Sequence, residues 1–288
     1  MAGEAPGGSD AREPLIDPEE FRRFTGSLQI MLRVILAVVL REARTRYGKS
    51  ELGYAWAIID PLVEMAVLML VFTALGRQSP IAVPLPVFLL TGLIPFQFFK
   101  DCVGRGASAA NANIALLTYP QVKLLDVLVG RVLLEAITTA FVYLFFAIIL
   151  HYALAVPLSL WYDDVPAMIG AMLGLLYFGM ASAIFSCSIN RLTPVWSTIW
   201  SFISRPLWFL SGVFYTISHL PNNARYYMIY NPIAHLIEWW RSVSLPVFSS
   251  DAYSITFVLM TATVIMFIGL AVDRLLNLIG YADEPMGG

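Results

Sequence analysis

The chain has 288 residues, of which 58% are hydrophobic and only 13% charged, with a mean hydropathy of +0.72. A soluble domain carries about 25% charged residues, so this chain lacks the polar surface to face water, and lipid must solvate most of it. Its net charge of −2 excludes a bulk attraction to nucleic acid, and its two cysteines, Cys102 and Cys187, have no CxxC or zinc spacing and read as small buried residues.

In chain order, residues 1–26 hold Asp10, Glu13, Asp17, Glu19 and Glu20 and no apolar core of a signal peptide. They are expected to form a flexible cytoplasmic tail. Residues 27–50 contain an apolar run over 28–40, which is too short to span, so an interfacial helix is predicted there. Residues 51–288 form the membrane domain. A hydrocarbon core of about 30 Å needs roughly 20 helical residues, and six segments qualify: 54–76, 85–105, 128–152, 166–188, 195–217 and 254–276. The second is the weakest, because Pro86 and Pro95 interrupt it and Lys100 and Asp101 lie near its end. Between the last two spans, Asn231 and Pro232 are a cap and a first helical residue for the run 233–243, which carries Trp239 and Trp240. Such a helix is too short to cross and is predicted to be re-entrant or to lie on the outer membrane face. The fold class expected is therefore all-α and integral to the membrane.

Lys and Arg set the orientation. Fourteen of the eighteen lie before span 1, at or between the facing ends of spans 2 and 3, between spans 4 and 5, or at the C-terminal end of span 6; Arg77, Arg225 and Arg241 lie on the other side, and Arg205 falls inside span 5. That asymmetry predicts a multi-pass protein of a bacterial inner membrane with both termini cytoplasmic. No catalytic constellation is present. Gly48-Lys49-Ser50 echoes a phosphate-binding loop, but the first glycine such a loop requires is replaced by Ala43. Leu210-Ser211-Gly212 lies within an apolar span and reads as a helix contact. His235 and Glu238 are three apart, but two ligands without a third do not make a metal site, and none is expected.

Ionisable groups inside spans cost about 2.5–3.5 kcal/mol each at mid-helix and need partners. Asp60 and Glu64 share one face of span 1, and Arg205 lies near the middle of span 5, so a Glu64–Arg205 pair is predicted, within one chain or across a dimer. It would serve packing alone or line a path. Trp56, Trp196, Trp200, Trp208 and Tyr215 are the other candidates for a translocation pathway, since aromatic faces stack on the C–H patches of sugars. The plain alternative is that they sit at the membrane interfaces, where such residues gather.

Several stretches carry a resemblance. Arg46-Tyr47-Gly48-Lys49-Ser50-Glu51-Leu52-Gly53 precedes Trp56 and Asp60-Pro61-Leu62. Gly92-Leu93-Ile94-Pro95-Phe96 lies in the second span, Asn113, Tyr119-Pro120 and Lys123 follow it, and Tyr230-Asn231-Pro232-Ile233 precedes Glu238 and Arg241. With these in this order, the sequence resembles the ABC-2 permeases that export polysaccharides, most nearly the capsule exporters and next the O-antigen exporters. It departs from many of them at Gln121, where an arginine follows the aromatic–proline pair. The resemblance implies the ABC-2 (type V exporter) fold and a homodimer. It also implies two copies of a separate cytoplasmic ATPase that holds ATP and Mg, with no cofactor in this chain. The implied cargo is a lipid-linked polysaccharide, with periplasmic and outer-membrane capsule export proteins as further partners. It makes Arg41, Glu42, Arg44, Arg46, Asn113, Tyr119 and Lys123 candidates for ATPase docking, and Asn231, Glu238, Trp239 and Arg241 candidates for an external gate. O-antigen, teichoic acid and small-molecule ABC-2 exporters remain as alternatives. An intramembrane enzyme lacks its motif here, and a secondary transporter lacks its internal repeats.

Overall fold

In hydrocarbon every backbone N–H and C=O must find its partner within the chain, so the long apolar runs have helix as their only open structure. The computed structural model describes residues 18–47, 53–157 and 164–279. The elements are α1 (Pro18–Tyr47), α2 (Gly53–Ala74), α3 (Leu85–Ala107), α4 (Ala109–Ala112), α5 (Ile114–Leu117), α6 (Leu124–Leu154), α7 (Val165–Leu192), α8 (Trp196–Leu210), α9 (Asn222–Met228), α10 (Pro232–Ser244) and α11 (Ile255–Leu278), with a 3₁₀ turn at Ile217–His219. No strand occurs among the described residues. The Gly48-Lys49-Ser50 echo and most of the acidic N-terminal stretch lie outside the described residues.

Five helices, α2, α3, α6, α7 and α11, are long and apolar enough to cross a membrane. The predicted span 195–217 is different. Its helix, α8, holds only 15 residues, which at 1.5 Å per residue is about 22 Å. It ends where Gly212 takes φ +77°, and the chain then leaves helical geometry. The reason lies across the bundle: the carbonyls of Gly212, Val213 and Tyr215 are taken by the side chain of Arg241, so they are not free to continue a helix.

The span that looked weakest is the centre of the bundle. From Pro86 to Phe96 α3 is buried at every position, and it packs on α6, α7 and α10. A helix surrounded by other helices can carry Pro95, Gln97 and Asp101, because its polar groups meet protein rather than lipid. α7 joins α3 to α11; Arg191 at its end pairs with Asp273 of α11 and donates to Asn277. By contrast, α2 and α11 keep broad apolar faces outward, with Leu70 and Phe267 exposed.

α1 begins at Pro18, inside the region expected to be tail. Ile35 and Val38 are buried against the bundle while Leu32, Leu36 and Leu40 are exposed, one turn apart on the outer side. A helix with one apolar stripe on protein and another outward fits an interfacial position.

Candidate functional site

Two polar clusters and one helix face carry the functional geometry. The first cluster lies where the C-terminal turns of α1 meet the ends of α3, α4 and α6. Arg41 donates to Asn113 Oδ1 at 2.8 Å, and Asn113 Nδ2 donates to Glu42 Oε1 at 3.2 Å and to the Ala109 carbonyl at 3.0 Å. Glu42 also pairs with Arg131 of α6 at 2.8 Å, and Arg131 caps the end of α3 by donating to the Arg105 carbonyl. One turn further along α1, Arg46 reaches Glu135 at 2.7 Å, and Arg105 of α3 approaches the same oxygen at 2.7 Å. Glu135 is only 3% exposed. A buried carboxylate between two guanidiniums is tightly held, because losing one partner leaves a charge without compensation.

Of the residues assigned to ATPase docking, Glu42, Arg46 and Asn113 are turned into their own chain, Arg41 bonds Asn113 but stays exposed, and Arg44, Tyr119 and Lys123 are exposed. Tyr119 and Lys123 follow the short elbow α4–α5, on which Ile114 is exposed. Lys123 opens α6, its N–H capped by the Asp126 carboxylate at 2.9 Å. Sequence reasoning missed Glu135, Arg105 and Arg131. Their signal was present: Arg131 and Glu135 are four apart inside an otherwise apolar helix.

The second cluster surrounds α10, whose 13 residues are fewer than a membrane span needs. Asn231 accepts from the Ile233 N–H at 3.0 Å as the predicted cap, and its Nδ2 donates to the Leu210 carbonyl at 2.9 Å. One side chain thus starts α10 and closes the end of α8. Replacing Asn231 by alanine removes both bonds and is expected to cost about 1–2 kcal/mol. Thermal unfolding of the purified permease in detergent checks this, with Asn231→Asp, which keeps the cap alone, falling between.

Arg241 is fully buried. It donates to Thr91 Oγ1 at 3.4 Å and to the carbonyls of Gly212, Tyr215 and Val213 at 3.1, 3.2 and 3.3 Å, and stacks over Phe88 at 4.2 Å. Burial pulls its pKa down to about 10, against the opposing pull of Glu238, so it stays charged at neutral pH. Gly92 makes room for it: a Cβ there would stand 2.6 Å from the guanidinium and 2.8 Å from the Val213 carbonyl. Glu238, 1% exposed, accepts from Ser250 Oγ at 2.8 Å and from the Ile217 N–H at 3.3 Å. Trp239 is buried beside Gly174 of α7. His235 donates from Nε2 to the Ile229 carbonyl at the end of α9 and accepts at Nδ1 from the Ser254 N–H at the start of α11, so its two ring nitrogens tie α10 to both neighbours. The residues expected to form an external gate thus lock α10 into the bundle.

The third feature is α8. It packs on α3 and α7, with Trp196 donating to Ser186 Oγ at 2.7 Å and Trp200 edge-on to Phe99. Trp208 sits with Phe209 and Phe214, and Phe214 meets Phe72 of α2; Tyr215 bonds Met228 Sδ. Its opposite face carries Thr198, Ser201, Phe202, Arg205 and Phe209, all exposed. Trp56 and Asp60 are likewise exposed on α2. Within the chain no ion pair joins Glu64 to Arg205; Glu64 accepts from Gln97 instead.

Comparison with known proteins agrees with this architecture. A family model described as ABC-2 type transporter matches residues 33–245. The chain is 31% identical over 245 residues, 83% of its length and 91% of the relative's, to the polysialic acid transport protein KpsM of Escherichia coli. It is 30% identical over 255 residues, 86% of its length and 93% of the relative's, to the capsule polysaccharide export inner-membrane protein CtrC of Neisseria meningitidis serogroup A. A shorter stretch, 86 residues at 38% identity covering 30% of this chain and 32% of the relative, matches the O-antigen export system permease protein RfbA of Myxococcus xanthus.

Proposed function

The chain belongs to the ABC-2 type transporter family, as the membrane permease of a polysaccharide ABC exporter, and from that premise we propose that two copies form a path for a lipid-linked capsular glycan. The exposed face of α8 carries the reading. Thr198, Ser201 and Arg205 are exposed on α8, which the apolar run 195–217 assigns to the membrane, and Arg against lipid at mid-membrane costs about 2.5–3.5 kcal/mol. Such a face belongs against a second copy or a watered path. The neighbouring aromatics Phe202, Phe209 and Trp56 supply stacking surface, and Arg205 supplies a charge for the phosphate of a lipid linker. Energy comes from a separate cytoplasmic ATPase docked at Arg44 and the exposed elbow by Ile114 and Tyr119. Both termini are cytoplasmic, and periplasmic and outer-membrane export proteins receive the cargo.

Deleting the gene in its host should leave the glycan inside the cell. Wild type should restore it to the surface, and Arg205→Glu should restore at most a tenth of it. Normal surface glycan in the deletion strain, with no second exporter present, would overturn the assignment of cargo.

The dimer seam has its own test. Cys102 and Cys187 are both buried, so one introduced cysteine reports cleanly. Under oxidation in native membranes, Phe202→Cys should form most of the chain into disulfide dimers and Phe267→Cys on α11 should form few. The reverse order would place the seam on α11.

A further inference from the structure

A cavity of about 220 Å³ lies at mid-bundle between α3, α6, α7 and α10, and the reading above leaves it unused. Phe98, Thr139, Tyr143, Met172, Leu176 and Trp240 are among its walls. Nearly all of that wall is hydrocarbon, thioether or aromatic ring, with Trp240 edge-on to Tyr143 at 5.5 Å. One polar group stands out. Trp240 is 6% exposed, and its Nε1–H is buried with no hydrogen-bond partner. An indole N–H of this kind usually finds an acceptor when buried.

The cavity also reaches the outside of the bundle. Met172 and Ala140 belong to its lining and are exposed. Around them α6 and α7 present Phe141, Leu144, Ile169 and Leu173 outward, all more than a third exposed. These are the lipid-facing walls of two spanning helices, so whatever enters from the side comes from the bilayer. An empty apolar void would forfeit dispersion contacts on every wall, and walls that are almost wholly apolar suit hydrocarbon better than water. The methionines give that wall the conformational freedom to close on an irregular chain. Pro95, which lines the cavity, has no N–H to give the α3 ladder, so one helix rung is missing at that level.

We propose that this cavity holds one acyl chain of a bilayer phospholipid, with an ester carbonyl of that lipid accepting from Trp240 Nε1–H. The site is separate from the α8 face, and its lipid is a bound component of the permease rather than cargo. It ties α10, which carries Arg241, to the surrounding membrane.

The test is native mass spectrometry of the full-length permease extracted gently from membranes, with retained lipid identified by fragmentation. Wild type should keep one diacyl phospholipid per chain. Ala136→Leu, which adds bulk to the wall, should lower occupancy at least tenfold. Trp240→Phe keeps the ring and removes the N–H, and should lower it about two- to tenfold, the range of one hydrogen bond. If Ala136→Leu fails to fold, Trp240→Phe decides alone. No phospholipid on wild type, equal retention in Trp240→Phe, or retention of the glycan's lipid carrier in place of phospholipid would each overturn the proposal. Loss of lipid with export intact leaves this site standing, and retained lipid with no export defect in Arg205→Glu fails only the path reading.

Discussion

Replacing Arg241 by methionine is expected to lower the stability of the folded permease by about 3–5 kcal/mol, the cost of leaving a buried polar site without its charge. The side chain serves three carbonyls, a hydroxyl and an aromatic face at once. Methionine fills most of the volume but strands the carbonyls of Gly212, Val213 and Tyr215 in a site that water does not reach. The segment after α8 would lose what holds it out of helical geometry, and α10 would lose its hold on α3. Lysine should rescue little, since a point ammonium cannot match a planar fork with donors in three directions. Glu238→Gln should cost less than Arg241→Met. Arg241 and Glu238 are 3.9 Å apart, and a glutamine retains an oxygen for the Ile217 N–H. Thermal unfolding in detergent, with surface glycan measured in parallel, checks the order. A change below about 0.5 kcal/mol for Arg241→Met would mean that packing alone seats α10, and that the carbonyls find other donors.

Much of this arrangement was legible before the structure, and the exceptions share a cause. Long apolar runs specify spans because backbone satisfaction in lipid leaves little choice, so α2, α6, α7 and α11 fall close to their predicted places. Asn231 and Pro232 marked the start of α10 correctly, since capping is a local property of neighbouring residues. The misreadings concern residues whose role depends on what lies across the bundle. Pro95 and Asp101 made α3 look poor as a span, because a sequence does not state that the helix is shielded from lipid by its neighbours. Span 195–217 looked continuous, because nothing in its own composition says that Arg241 will claim its last carbonyls. Glu42 and Arg46 looked like part of a solvent-facing helix end, and they turn inward because Arg131 and Glu135 await them, while Arg41 bonds Asn113 and stays exposed. In each case the deciding partner lies more than 25 positions away, beyond any periodicity. Glu64 is the same lesson on a smaller scale: a half-buried carboxylate needed a partner, as the sequence implied, and within the chain Gln97 supplies it.

The inward turn of α1 yields the last expected result. Glu135→Gln should loosen the C-terminal half of α1 without unfolding the bundle. The carboxylate accepts from Arg46 and stands against Arg105; a neutral amide keeps one acceptor but loses the charge attraction to two guanidiniums. Truncation to alanine would be harsher, about 3–5 kcal/mol, because both cations would then be stranded. For the glutamine variant, amide exchange over residues 36–47 should speed up roughly 10- to 100-fold, which corresponds to about 1.4–2.8 kcal/mol of local opening. Exchange in α7 should stay unchanged. Glu42→Gln should act on the same segment through Arg131 and Asn113, and the double variant should exceed either single one. If α1 transmits nucleotide-driven motion to the spans, export should fall in step with the loss of protection while permease abundance holds. Unchanged exchange over 36–47 in Glu135→Gln would assign the seating of α1 to Ile35 and Val38 instead. The ion pairs would then be consequences of that packing, and a helix held by apolar contacts alone could slide along the bundle with no charge pair to break.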